Sequence, residues 1–217
     1  MSDEAPSPAG TPGAAVIEAL FPTRLYRADL GGGDGLNEEL LACCLSAAAD
    51  DVAGQRWSAK HGYPGYTSYA SLDDLPWRYP AVKQLKKLLD KHAAAFAKAL
   101  HWDLGGGKLE INALWINVLE PGGFHSGHIH PNSVLSGTYY VSVPKGAGAI
   151  RFEDPRLPLM MATPPRKPKA PRDFQSHLSA APSPGTLLLW ESWLRHEVPL
   201  NQAEEERVSI SFNYAWR

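Results

Sequence analysis

Apolar positions recur with helical spacing in the first half of the chain and with strand-like alternation in the second. In "GLNEELLACCLSAAADDVAGQ", Leu36, Leu40, Leu41, Cys44 and Leu45 fall on one helical face, and Asn37 before an acidic pair marks a helix start. In "YPAVKQLKKLLDKHAAAFAKALHWDL", Val82, Leu85, Leu88, Leu89, Ala93, Phe96 and Leu100 make one stripe, with Pro80 near its beginning. Between these helices, "HGYPGYTSYASLDDLPW" reads as an ordered loop. Upstream, the apolar run after Ala14 predicts a short strand around Leu20 to Leu30, interrupted by Pro22.

After the glycines at 105 to 107, short apolar runs alternate with Gly and Pro breaks: "KLEINALWINVLEPGG", "SVLSGTYYVSVPKG", "GAIRFEDPR", "PGTLLLWESW", "RHEVPLN" and "ERVSISFNYAWR". Many short strands with frequent turns predict an antiparallel sandwich or barrel, here buttressed by the two helices. The fold class is mainly β with flanking helices. The basic, Pro-rich stretch "TPPRKPKAPRDF" is a surface loop, and the segment 155–180 around it is a candidate lid or substrate wall. Residues 1–13 have no apolar face to bury and are expected to be a disordered tail, leaving 14–217 as one domain.

Composition narrows the function classes. A length of 217 residues suits one domain, and a formal charge of −2 gives no pull toward nucleic acid or acidic membranes. No apolar run approaches the roughly 20 residues of a membrane helix. The acidic, Pro-rich start "MSDEAPSPAGTPG" does not read as a signal peptide, and the adjacent Cys43 and Cys44 make no disulfide framework. A cytoplasmic protein is expected, with a homodimer possible through an exposed sheet edge.

The candidate chemistry lies in the strands. In "GHIHPNSVLSGTYYV", His128 and His130 are two residues apart, so on a strand both point to one face. His196, in "WLRHEVPLN", follows a buried-looking strand and can meet them from a neighbour. Three imidazoles around one metal leave positions for water, substrate or O2. In "ERVSISFNYAW", Arg207, Ser209, Ser211 and Asn213 share one face, while Val208, Ile210, Phe212 and Tyr214 share the other. If the apolar face packs on the helices, Arg207 and Ser209 look into the barrel mouth, where they can hold a carboxylate. The competing reading of Arg207 is a surface ion pair with Glu204 to Glu206. Asn117, Ser136 and Tyr140 are further candidates for the pocket wall. His61, His92, His101 and His177 read as ordinary surface or hydrogen-bonded histidines.

This ordered set resembles a known family. "HIHPNSVLSGTYYVSVP", "IRFEDPR", "PGTLLLWESWLRHEVPLN" and "ERVSISFN", preceded by "ALFPTRLY" and "GYTSYASLDDLP", are similar to the 2-oxoglutarate/Fe(II) oxygenase family of bacteria and marine phages, over roughly residues 18 to 215. The resemblance implies a double-stranded β-helix, or jelly roll, and a hydroxylase-type enzyme using Fe(II), 2-oxoglutarate as cosubstrate and O2. It also implies His128, His130 and His196 as metal ligands, with Arg207 and Ser209 on the far carboxylate of 2-oxoglutarate. One departure stands out. Most such oxygenases carry Asp or Glu where this chain has His130, so Asp154 is an alternative third ligand, with His125 behind it. A cupin-like three-His protein, either a cosubstrate-free dioxygenase or a ligand-binding module, is the alternative function.

Overall fold

The computed structural model describes residues 15–31 and 35–217, so the expected tail at 1–13 lies outside the described residues. Strand β1 (Leu25–Asp29) precedes a mostly helical block: α1 (Gly35–Asp50), α2 (Val52–Lys60), β2 (Gly65–Thr67), α3 (Leu75–Arg78) and α4 (Pro80–Ala99). The rest is β: β3 (Leu109–Leu119), β4 (His125–His128), β5 (Leu135–Ser142), β6 (Ile150–Glu153), β7 (His177–Ala180), β8 (Thr186–Glu191), β9 (His196–Val198) and β10 (Arg207–Trp216). They pair into a six-stranded sheet, ordered β1-β8-β5-β10-β3-β2, and a four-stranded sheet, ordered β4-β9-β6-β7. All pairings are antiparallel.

The two faces of the large sheet do different work because side chains alternate along each strand. Ile116, Val118, Tyr139, Leu187, Leu189, Val208, Ile210 and Phe212 pack against Leu40 and Cys44 of α1 and Val82, Leu85, Leu89 and Phe96 of α4. Each fully buried Leu or Ile there contributes about 2 kcal/mol by leaving water. The opposite face meets the small sheet, with Tyr140, Leu188 and Trp190 against Ile150, Phe152 and Leu194. The barrel interior lies between the sheets. Gly137, opposite Phe212 in register, has no side chain because a Cβ there would come within 2.4 Å of the Phe212 ring.

Both main helices form as the periodicity predicts, but the helical block holds four helices rather than two. The expected loop contains β2 and α3, where sheet pairing and Asp74–Arg78 contacts override weak local signals. Asn37 does not start α1. It is buried inside the helix, donating to the Val141 carbonyl and accepting from the Tyr139 hydroxyl, which ties α1 to β5. The first strand begins at Leu25, after Pro22, and Val16, Ile17, Leu20 and Phe21 stay exposed. The segment 155–180 has two single turns of 3-10 helix, and its end, from His177, is strand β7. Among the described residues, no helix is long and apolar enough to cross a membrane.

Candidate functional site

The strand pairing itself brings distant histidines together. His128 closes β4, His196 opens β9, and the two are direct partners across the antiparallel ladder. His130 is not on the strand as the alternation predicts. It lies beyond the end of β4, where its backbone N–H donates to the Ser192 carbonyl at 3.0 Å. The chain turn, and not a shared strand face, aims its ring at the other two. Ring centroids lie 4.4 Å apart for His128 and His196, 5.0 Å for His128 and His130, and 5.3 Å for His130 and His196. One potential ligand atom from each of these three lies within 4.8 Å of the others.

Neighbouring carbonyls orient two of the rings. His128 Nδ1 lies 2.7 Å from the Ser126 carbonyl and His196 Nδ1 lies 2.9 Å from that of Leu194. An oxygen acceptor there holds the proton on Nδ1 and leaves the Nε2 lone pair free. His130 Nδ1 faces the Asn213 amide nitrogen at 3.3 Å, and the Asn213 amide oxygen accepts from the Ser136 hydroxyl at 2.8 Å. Ligation through Nε2 puts a proton on Nδ1 of His130, which calls for the Asn213 amide to be turned over, with its oxygen toward the ring and its nitrogen toward Ser136. Ser136, expected in the pocket wall, therefore acts behind His130. Burial first, and then the nearness of His128, push His130 down to about 4 and His196 down to about 3. Both are neutral at physiological pH, as a metal ligand must be.

Beside the histidines lies a cleft of about 430 Å³ counting its open mouth. Arg207, Ser209 and Ser211 enter it from β10, and Trp115 and Asn117 from β3. Arg207 is only 3% exposed, and its Nε has no hydrogen-bond partner. Its guanidinium lies 5.0 Å from the centroid of the Tyr140 ring, so Tyr140 forms the floor beneath the cation. Among the described residues no ion pair joins Arg207 to Glu204, Glu205 or Glu206, which removes the surface reading. No Asp or Glu is among the lining residues.

One wall is a continuous polar chain. Tyr63 hydroxyl meets His125 Nε2 at 2.8 Å and Asn117 Oδ1 at 3.1 Å, and Asn117 Nδ2 donates to Ser211 Oγ at 3.2 Å. His125 stands outside the three-ring cluster. Burial, and then Arg207, lower its pKa to about 3. Asp154 is held in a two-point pair with Arg156, at 2.8 and 3.0 Å, which keeps its carboxyl below the usual range. It is neither in the cluster nor on the cleft wall. Tyr63, Trp115 and Trp190 were not legible as pocket residues. Trp115 carried a signal, since it lies two positions before Asn117 on the same face of β3. Tyr63 carried none, because only the β2–β3 pairing brings its segment to the cleft.

Residues 113–213 match the family model described as "Putative 2OG-Fe(II) oxygenase". No curated protein matches the sequence. Among solved structures, the chain is similar to a Pseudomonas putida prolyl-4-hydroxylase, at 17% identity over 90% of this chain and 94% of that one, with TM-score 0.60. It is also similar to the epimerase SnoN in complex with Fe3+, alpha ketoglutarate and nogalamycin RO, at 17% identity over 89% of this chain and 79% of that one, with TM-score 0.62. A third is HygX from Streptomyces hygroscopicus with nickel and 2-oxoglutarate bound, at 15% identity over 89% and 82%, with TM-score 0.54. At such identities these neighbours carry the fold, a double-stranded β-helix.

Proposed function

We propose that this chain is a 2OG-Fe(II) oxygenase, in which His128, His130 and His196 hold Fe(II) while Arg207 and Ser209 receive the far carboxylate of 2-oxoglutarate, for oxidation of a small molecule or a side chain. The observation that carries these assignments is a buried guanidinium with an unpaired Nε, in a cleft lined by imidazoles and without a single carboxylate. A buried cation without a partner is costly, so the site is built for an anion that arrives with the ligand. A dicarboxylate offers one group to the arginine and another to the metal side.

Iron bound there supplies the redox chemistry that couples decarboxylation of 2-oxoglutarate to oxidation of a substrate C–H bond, with O2 as oxidant. The chain's own residues bind, orient and exclude water. The carbonyls of Ser126 and Leu194 set two ring tautomers, and Asn213 with Ser136 sets the third. Ser209 sits beside Arg207 on the same strand face, with its hydroxyl available to a carboxylate oxygen. Trp115, Trp190 and Ile150 make the apolar part of the wall and keep the site dry. Asn117, held by Tyr63 and Ser211, presents a fixed amide edge to whatever enters.

The test is anaerobic addition of Fe(II) and 2-oxoglutarate, followed by O2. A weak visible charge-transfer band and succinate formation are expected. A protein that binds only Zn(II), with no band and no succinate, would contradict the assignment and favour the cupin-like alternative.

A further inference from the structure

One line of aromatic rings runs from the metal-binding cluster to the surface. Trp115 lies 6.0 Å, centroid to centroid, from His130 and 5.1 Å from Tyr69 in an edge-to-face contact. Tyr69 is 6.5 Å from Trp57, which stacks on His61 at 4.2 Å. Trp115 is 9% exposed and Tyr69 57% exposed, so the line passes from cleft wall to solvent in two rings. The geometry is braced. Ser68, the residue before Tyr69, donates its N–H to the Ile116 carbonyl and accepts the Ile116 N–H on its hydroxyl, which clamps this loop to β3 beside Trp115. The other rings against the histidines are dead ends: Trp190 and Phe152 touch His196 but are 2% and 6% exposed.

Core packing does not account for this line, since Tyr69 is mostly in water and Trp57 is half-buried. Indole and phenol are the side chains most readily oxidised by one electron. Phenol must also lose its proton, and an exposed hydroxyl can hand it to solvent. Resting on the oxygenase reading above, we propose that Trp115 and Tyr69 form an electron relay that discharges the metal site when O2 is consumed without substrate. In that turnover, 2-oxoglutarate, O2, two electrons and two protons give succinate, CO2 and water. Each electron leaves the Trp115 indole toward the His130 side and is replaced from Tyr69, whose phenolic proton goes to water. A one-electron reductant such as ascorbate then refills the Tyr69 radical at the surface, once per electron.

The experiment uses the full chain loaded anaerobically with Fe(II) and 2-oxoglutarate, mixed with O2 without substrate or ascorbate, and frozen for electron paramagnetic resonance. A neutral tyrosyl radical is expected, narrowed by ring-deuterated tyrosine, lost in Tyr69→Phe and lost in Trp115→Phe. Mass spectrometry after longer exposure should find oxygen adducts around Tyr69 and Trp57. In Tyr69→Phe these should move to Trp115 and the cleft, with self-inactivation several-fold faster. Ascorbate should suppress both signals in the unmodified protein. Succinate formed with no Tyr69-dependent radical, or equal inactivation rates with and without the Tyr69 hydroxyl, would overturn the relay alone. No succinate from any preparation would remove the oxygenase reading and the relay together.

Discussion

Arg207→Met should have opposite effects on stability and on cosubstrate binding. The guanidinium is buried, its Nε is unpaired, and it lies against Tyr140 in a cation–π contact. Replacing buried charge by a well-packed apolar chain of similar length stabilises by about 1–4 kcal/mol, and the lost cation–π contact offsets about 1 kcal/mol of that. A net gain of up to about 3 kcal/mol is expected in urea unfolding of metal-free protein, with a Tm rise of up to roughly 12 °C for a domain of this size. Binding of 2-oxoglutarate should move the other way. Leaving one carboxylate unpaired in the cleft costs about 2–5 kcal/mol, or a Kd raised about 30-fold to several-thousand-fold. The charge-transfer band titrated anaerobically reads that loss, and Fe(II) affinity measured without cosubstrate should stay nearly constant. A variant that loses stability, or that loses metal and 2-oxoglutarate binding in parallel, would refute the reasoning that Arg207 waits unpaired for an anion.

Other outcomes follow from the same geometry. Asn213→Ala removes the amide that orients His130 and should weaken Fe(II) binding about 10–100-fold while leaving the circular dichroism spectrum unchanged. His196→Ala deletes one of the three proposed ligands and should abolish both metal binding and succinate formation. Asp51 caps α2 and accepts from Gly54 N–H, Tyr66 and Ser71, so Asp51→Ala should cost about 2–4 kcal/mol in urea unfolding. Burial alone would raise the Asp51 carboxyl, but Ser71, Gly54 and Tyr66 hold it below its ordinary 3.8. Its contribution is therefore complete above that value and fades as pH falls through the lower folded value, so the gap between Asp51→Ala and the unmodified chain should narrow only in acid. A gap that closes near neutral pH would contradict the assignment.

Several pieces were legible because they depend on local periodicity. The α4 stripe becomes a helix over Pro80–Ala99 packed by that same stripe. Alternation in the last strand separates correctly into Val208, Ile210 and Phe212 against the helices and Arg207, Ser209 and Ser211 in the cleft. Asn37 and His130 show where such reasoning stops. Each was assigned from neighbours in sequence, and each has its position set by a partner about a hundred or sixty residues away, β5 for one and Ser192 for the other.

Residue types and their spacing were enough to single out the three histidines that cluster, the arginine that enters the cleft beside them and a strand-built barrel around them. Tertiary structure alone decided that His130 reaches the cluster through a turn, that Asp154 is spent on Arg156, and that Tyr63 and Trp115 belong to the site. The division has one physical cause. Periodicity records which face of an element leaves water, because burial acts on every residue of that face. Which distant side chains then meet depends on strand register and turn geometry, and those are set by the packing of the whole sheet.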